Sequence, residues 1–257
     1  MMNFKDALIL FFILVWILIS IDIMYGIHWL WYAFPIVFIV SATTWGVLTV
    51  QSGYFVKSIY KGDSNEKAIS FTFDDGPITK LTPALLDLLN EYNVKATFFC
   101  IGDRIAQNPA IAQRADSEGH LIGNHSWSHS SYFDIFPAAR VKEELEKTSN
   151  IIRETIGKVP RMFRPPYGIT NPPISRAIHQ TGFDVIGWNI RSLDTVIKDP
   201  EKLFARVTSR IKPGAVILFH DSNPRLLPVL RRVFDFALEN EYKIIRLDEL
   251  LHNQPYV

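Results

Sequence analysis

The amino-acid sequence predicts an α/β domain on a parallel sheet, preceded by two transmembrane helices. From about Lys67 onward, short β-rich runs alternate with amphipathic helical stretches, the pattern of strands that all run one way. Prolines open several of the helical stretches and glycines follow their ends, where a missing N–H costs nothing and a left-handed residue is wanted. Ahead of this alternation lie two apolar runs of membrane-spanning length.

Those runs come first in the chain. Ala7 to Ile21 is almost wholly apolar, Asp22 interrupts, and Ile27 to Val50 carries no formally charged side chain and is broken only by Pro35. At a helical rise of about 1.5 Å per residue the second run crosses a hydrocarbon core, and the first does so once Ile23 and Met24 are included. Tyr25, Trp29, Trp31 and Tyr32 cluster between them, as aromatics do at a headgroup boundary. No small-residue cleavage site follows the first run, so residues 1–56 read as a membrane hairpin rather than a cleaved signal peptide. Gly62, Asp63, Ser64 and Asn65 make residues 57–66 a linker by content, and residues 67–257 a domain. Lys5 precedes the first run and Lys57 and Lys61 follow the second, whereas Asp22 to Gly26 has no Lys or Arg; the positive-inside rule therefore puts the domain on the cytoplasmic side.

Within the domain, Ala68 to Phe73, Val94 to Ile101, His120 to Gly123, Phe183 to Trp188, Ala215 to Phe219 and Lys243 to Arg246 read as strands. Thr82 to Glu91, Ile105 to Glu118, Pro137 to Ile156, Pro172 to Thr181, Pro200 to Ile211 and Leu226 to Asn240 read as helices. Pro137, Pro172 and Pro200 stand near helix starts; Gly119, Gly157 and Gly182 lie just past helix ends. Periodicity alone leaves open whether the alternation closes into a barrel.

Composition narrows the function classes. Among 257 residues, 27 Lys and Arg balance 26 Asp and Glu, which argues against a nucleic-acid surface. The single cysteine, Cys100, excludes an intrachain disulfide and sits in an apolar run as a small buried hydrophobe does.

Chemistry gathers at the ends of the expected strands. Ile69 to Phe73 runs into Asp74-Asp75-Gly76-Pro77, so two carboxylates emerge at a strand's carboxyl end, where α/β folds place their sites. Alone, Asp-Gly-Pro is an ordinary turn signal. His125-Ser-Trp-Ser-His129 sets two imidazoles four apart, on one face of a helical turn and within reach of a single metal ion. One Asp with two His leaves open coordination positions, as a catalytic site requires; zinc is the default, and iron or cobalt suit the same set. The prolines of Arg164-Pro-Pro-Tyr-Gly168 make a rigid turn that holds an arginine head and a backbone N–H in place. Ile217 to Phe219 ends in His220, which by itself is more readily a packed core histidine than a functional one.

Taken in order, Thr72-Phe-Asp-Asp-Gly-Pro77, His125-Ser-Trp-Ser-His129, Arg164-Pro-Pro-Tyr167 and Leu218-Phe-His220 resemble the polysaccharide deacetylases, carbohydrate esterase family four with its NodB-like homology domain. The match runs from about Lys67 to Leu251. The resemblance implies a distorted (β/α) barrel of seven or eight strands with its site at the strand carboxyl ends. It implies Asp75, His125 and His129 as ligands of one divalent metal ion, zinc by default with cobalt, iron, nickel or manganese as alternatives. By the same resemblance Asp74 is the general base acting on water that the cation acidifies, and Arg164 its orienting partner. His220 is then the general acid for the leaving amine, and the Tyr167 N–H, with the metal, an oxyanion donor. Leu218 lines the acetyl pocket. A fifth block is imperfect: Trp188 and Asp194 fit it, but Thr195 stands where a second Trp is expected. Asp194 is expected to pair with His220 and raise its pKa.

The implied activity is that of a hydrolase of carbon–nitrogen bonds other than peptide bonds, removing acetyl groups from an N-acetylated or O-acetylated saccharide at a membrane. The implied partners are an acetylated saccharide or lipid-linked sugar and the lipid bilayer, with no nucleic acid. Two alternatives are an amide hydrolase acting on a small non-sugar substrate and a non-catalytic saccharide-binding relative; the intact set Asp74, Asp75, His125, His129 and His220 speaks against the second. The resemblance also points outward across the membrane, opposite to the lysine placement.

Overall fold

The computed structural model describes residues 2–63 and 65–257; Met1, in the expected hairpin, and Ser64, in the expected linker, lie outside the described residues. The chain opens with α1 (Phe4–Tyr25), a 3-10 turn (Trp29–Tyr32) and α2 (Ala33–Leu48). Asn3 and Asp6 cap α1 reciprocally, and Gly26, at φ +63, ends it. Asp22 accepts from the Ile27 N–H at 2.8 Å and from the Tyr32 hydroxyl at 3.1 Å, so the residue that interrupts the apolar run tethers the turn between the helices. Phe4–Tyr25 and Trp29–Leu48 are long and apolar enough to cross a membrane, and most of their large side chains face away from the protein.

Among the described residues nine strands and eight α-helices follow: β1 (Ser58–Ile59), β2 (Ala68–Asp74), α3 (Leu81–Glu91), β3 (Thr97–Cys100), α4 (Gly102–Gln107), α5 (Pro109–Ser117), β4 (Leu121–Asn124), α6 (Ala138–Ile156), β5 (Met162–Phe163), α7 (Pro172–Thr181), β6 (Asp184–Ile186), β7 (Ile190–Arg191), α8 (Pro200–Thr208), β8 (Ala215–His220), α9 (Leu226–Glu239), β9 (Lys243–Ile244) and α10 (Leu247–Leu251). Every ladder is parallel, in the order β1-β6-β5-β4-β3-β2-β8-β7, with β9 beside the start of β2. The segment after β1 comes round to the start of β8, next to the other end of the path: Lys61 bridges to Ala215 and the Gly62 N–H donates to the Gly214 carbonyl at 2.9 Å. The result is the expected distorted barrel, with eight strands on its path and β9 beside β2 as a ninth.

Apolar side chains alternate along β2 and β8 between two cores. Phe71, Phe73, Ile217 and Phe219 pack outward against α3 and α9, with Leu85, Leu89, Val233 and Phe234. Phe99, Phe163, Trp188, Val216 and Leu218 form the second core, which also takes in Val50 from the end of the hairpin.

The differences from expectation have local causes. The helix expected from Ile105 to Glu118 is two, because Pro109 has no N–H to continue a ladder and opens α5 instead. The helix expected to reach Ile211 ends at Thr208. Strands β1, β5 and β7 have two residues each, too short for any periodicity to announce. β1 lies within the stretch read as linker and pairs with β6 through Ser58↔Val185 and Ile59↔Ile186.

Candidate active site

Parallel register brings the chemistry to one rim. Asp74, the last residue of β2, is in register with Phe99 of β3 on one side and His220 of β8 on the other. Asn124 of β4 is likewise in register with Phe163 of β5, so His125 and Arg164 leave adjacent strands side by side.

Asp75, His125 and His129 converge, with one ligand atom from each lying within 4.8 Å of the others. The Nε2 atoms of His125 and His129 stand 3.7 and 3.5 Å from Asp75 Oδ1. His125 Nδ1 lies 2.7 Å from the Arg164 carbonyl, which leaves Nε2 to face the cluster. Burial, with the charge of His129 and against the pull of Asp75, lowers the His125 pKa to about 3, so the ring is neutral and its lone pair is free for a cation. Two imidazoles and a carboxylate with room around them fit a divalent ion such as zinc.

The spacing of four does not act through a helical turn, as the sequence reading supposed. Ser126 at φ +64 and His129 at φ +46 make an irregular loop instead. Buried Glu144 of α6 holds that loop: its Oε2 accepts from the N–H groups of Trp127 at 3.0 Å and Ser128 at 2.8 Å. Asn124 Oδ1 accepts from the Ser126 N–H at 2.9 Å. Glu144 escaped sequence reasoning, although a carboxylate on the buried face of an amphipathic helix is a signal.

Arg164 is wholly buried and faces the Phe99 ring, its guanidinium carbon 4.1 Å from the centroid. It donates to Asp74 Oδ1 at 2.7 Å, to Thr72 Oγ1 at 2.8 Å and to the carbonyls of Ile186 and Gly187 at 3.3 and 3.0 Å. Asp74 Oδ2 is left facing the cluster, 3.8 Å from His125 Nε2. Burial raises the Asp74 pKa, and the opposing charges of Arg164 and His220 do not cancel that rise. The carboxylate is thus aimed by Arg164 and made more basic by its surroundings.

Across the cluster, His220 Nδ1 lies 2.9 Å from Asp194 Oδ1, and the His220 N–H donates to Asp194 Oδ2 at 3.0 Å. Burial would lower the His220 pKa, but the hydrogen bond and charge of Asp194, with Asp74 and Asp75 behind them, raise it to about 9. Ser192 Oγ donates to Asp194 Oδ1 at 2.8 Å, and Asn223 Nδ2 to its carbonyl at 2.6 Å.

Asp74, Asp75, His125, His129 and His220 line one cavity of about 210 Å³, together with Pro165, Tyr167, Gly168, Trp188, Arg191, Thr195 and Leu218. Tyr167 takes φ +59, and its ring meets that of His129 edge-on at 4.8 Å. Gly168, at φ +71, lies under the Trp188 indole, where a Cβ would come within 2.4 Å of the ring. Every residue singled out from the sequence is therefore at this cavity or, for Arg164 and Asp194, directly behind it. Arg191 and buried Asp221 were not singled out. Asp221 accepts from Thr82 Oγ1 at 2.5 Å and closes against Gly76, whose Cβ would meet its carboxylate at 2.1 Å; burial pushes its pKa up to about 7. Its place right after His220 was the available signal.

A family model described as polysaccharide deacetylase matches residues 61–186. The peptidoglycan-N-acetylglucosamine deacetylase PgdA of Listeria monocytogenes is 32% identical over 201 residues, 78% of this chain and 42% of that protein. The chain thus spans under half the length of that relative. The chitooligosaccharide deacetylase of Bradyrhizobium sp. is 33% identical over 172 residues, 66% of this chain and 78% of that protein. Among solved structures, the Bc1960 peptidoglycan N-acetylglucosamine deacetylase superposes with a TM-score of 0.71 at 29% identity, covering 76% of this chain and 93% of that one. BA3943 of Bacillus anthracis, a CE4 family pseudoenzyme, superposes with a TM-score of 0.70 at 26% identity, covering 75% and 68%.

Proposed function

Because the chain belongs to the polysaccharide deacetylase family, we propose that its barrel hydrolyses the acetyl amide of an N-acetylglucosamine-containing saccharide, with a divalent cation held by Asp75, His125 and His129, and that residues 1–56 anchor it in a lipid bilayer. One observation carries the reading: a candidate base, Asp74, and a candidate acid, His220, flank the metal-ligating trio in a single cavity. A cation bound there would polarise the acetyl carbonyl and acidify water, and zinc is the ion the donor set suits first.

The chain's own residues do the rest. Arg164 holds Asp74 so that Oδ2 faces the attacking water and takes its proton. Oxygen attacks the acetyl carbon, and the Tyr167 N–H lies at the Pro-Pro-Tyr-Gly turn to stabilise the oxyanion. Leu218 and Trp188 enclose the methyl group. His220, with Asp194 on Nδ1, is protonated at neutral pH and gives its Nε2 proton to the sugar nitrogen as the carbon–nitrogen bond breaks. Acetate and a free amine result.

The test is acetate release by the full chain from peptidoglycan fragments, chitin oligomers, acetylated xylan and lipid-linked N-acetylglucosamine, with and without chelator. Acetate and amine in equal amounts, lost on chelation and restored by zinc, support the reading. The likeness to a pseudoenzyme favours a second reading, a saccharide binder without turnover; binding of these saccharides with no acetate from any of them would establish it.

A further inference from the structure

The hairpin and the catalytic cavity share a wall. Gln51, three residues past the end of α2, donates from Nε2 at 2.6 Å to the carbonyl of Trp188, whose side chain lines the cavity. The Thr170 N–H, at the end of the Pro-Pro-Tyr-Gly turn, donates to the Val47 carbonyl in the last turn of α2 at 3.2 Å. Ser175 Oγ of α7 donates to the Phe55 carbonyl at 3.0 Å. Three residues of chain reach about 11 Å at most, little more than the about 5–8 Å depth of the headgroup layer outside a hydrocarbon core, and Thr170 touches α2 itself. With the hairpin in a bilayer, the cavity wall stands in or just above the headgroups, with no stalk to lift it farther.

The rim of the cavity is dressed for that place. Tyr167 (45% exposed) lines the cavity, and Tyr132 (66%), Ile135 (76%) and Val196 (67%) stand around it on the loops that follow β4 and β7, at the same carboxyl ends of the strands. The loop of Ile135 is tied to the hairpin side, since Asn171 Nδ2 donates at 2.5 Å to the Asp134 carbonyl, next in sequence to the Thr170 that meets α2. Arg191, in no ion pair among the described residues, lines the same mouth. Large apolar side chains beside one unpaired cation suit the boundary between acyl chains and anionic headgroups.

We infer that this rim docks on the lipid bilayer, and that the substrate is a saccharide carried on a membrane-anchored lipid and presented at the headgroup layer; the substrate half of this rests on the deacetylase reading above. Hairpin and rim act as two contacts with one bilayer, which orients the cavity toward a sugar a few bonds from the membrane surface. Long polymers far from the lipid would not reach it.

Two measurements on the full chain in liposomes test the inference. The first needs no activity. Cys100 is buried, so a fluorophore on Ile135→Cys reports that position alone, with Asn240→Cys, past the far end of α9, as the reference. Quenching of the Ile135 label by lipids that carry a quencher in the headgroup region, with the Asn240 label quenched only by aqueous iodide, is the expected result. Iodide quenching of both labels alike, which a protein partner or an unoccupied rim would give, overturns the docking. The second measurement compares acetate release from N-acetylchitotriose with release from the same sugar coupled to a dialkyl lipid in the same liposomes. The double variant Ile135→Glu, Val196→Glu should lose about tenfold or more on the lipid-coupled sugar, the worth of withdrawing one such side chain from lipid, and nothing on the free sugar. Equal rates of the unaltered chain on both sugars, or equal losses in the variant, overturn the substrate class. Acetate from neither sugar, with the Ile135 label still in the headgroups, would sink the deacetylase reading and the substrate class with it, and leave the docking standing.

Discussion

Arg164 donates to Asp74 at 2.7 Å across 90 residues of chain; Arg164 is shut away behind the cavity and Asp74 is buried in its wall. Two buried charges in contact hold each other in place because neither can be left alone: removing one strands the other in a medium that solvates it poorly.

Arg164→Met should therefore destabilise the fold by about 3–5 kcal/mol, the usual cost of unpairing a buried ion, and lower acetate release with it. Thermal and urea unfolding in detergent would show the first effect. A loss under about 1 kcal/mol would mean that Asp74 is accommodated without its partner.

His220 holds its proton up to about pH 9 in the fold, against 6.5 for an ordinary imidazole. The protonated form is the acid, so turnover should fall as pH rises through about 9, and Asp194→Asn should move that fall toward 6.5. Stability follows the same sign: a raised pKa contributes fully below 6.5, and the contribution is lost as pH climbs through about 9. The melting temperature of the unaltered chain should drop across that window and that of Asp194→Asn should stay flatter. An unmoved alkaline limb would take His220 out of the acid role.

The sequence was most legible where chemistry is punctuated by strand ends. Asp74, Asp75 and His220 could be placed because each follows an apolar run, and Arg164 because two prolines fix its turn; the parallel register then sets them side by side. The two histidines were paired for the wrong geometric reason: four residues apart reads as a helical turn, but Glu144, far along the chain, folds them into a loop. Strands of two residues carry no period, so β1, β5 and β7 were invisible, and with them the continuity between hairpin and barrel. Asp221 and Arg191 were missed because their meaning lies in partners from distant segments, Thr82 and Gly76 for one and the cavity mouth for the other.

Gly168 supports the turn that carries Tyr167. Gly168→Ala adds a methyl at φ +71 and within 2.4 Å of Trp188, so it should cost at least about 1 kcal/mol of stability and lower turnover while zinc content is unchanged. Wild-type activity would show that the indole can move aside at no cost.

Thr195 lines the cavity where an indole was expected from the family's fifth block. Thr195→Trp should shift the Michaelis constant or the preference among saccharides, and leave metal affinity as it was. No change in either would mean that Trp188 and Arg191 already form that wall.

The most direct test of the account is a zinc titration of the metal-stripped full chain, followed by acetate release. Activity should rise to a break at one zinc per chain, and Asp75→Ala, His125→Ala or His129→Ala should weaken binding and activity together. Asp74→Asn should bind the same single zinc and release acetate slower by about 10²–10⁴-fold, the range expected on losing a general base. Full activity in the metal-free chain, or a wild-type rate from zinc-loaded Asp74→Asn, would contradict it.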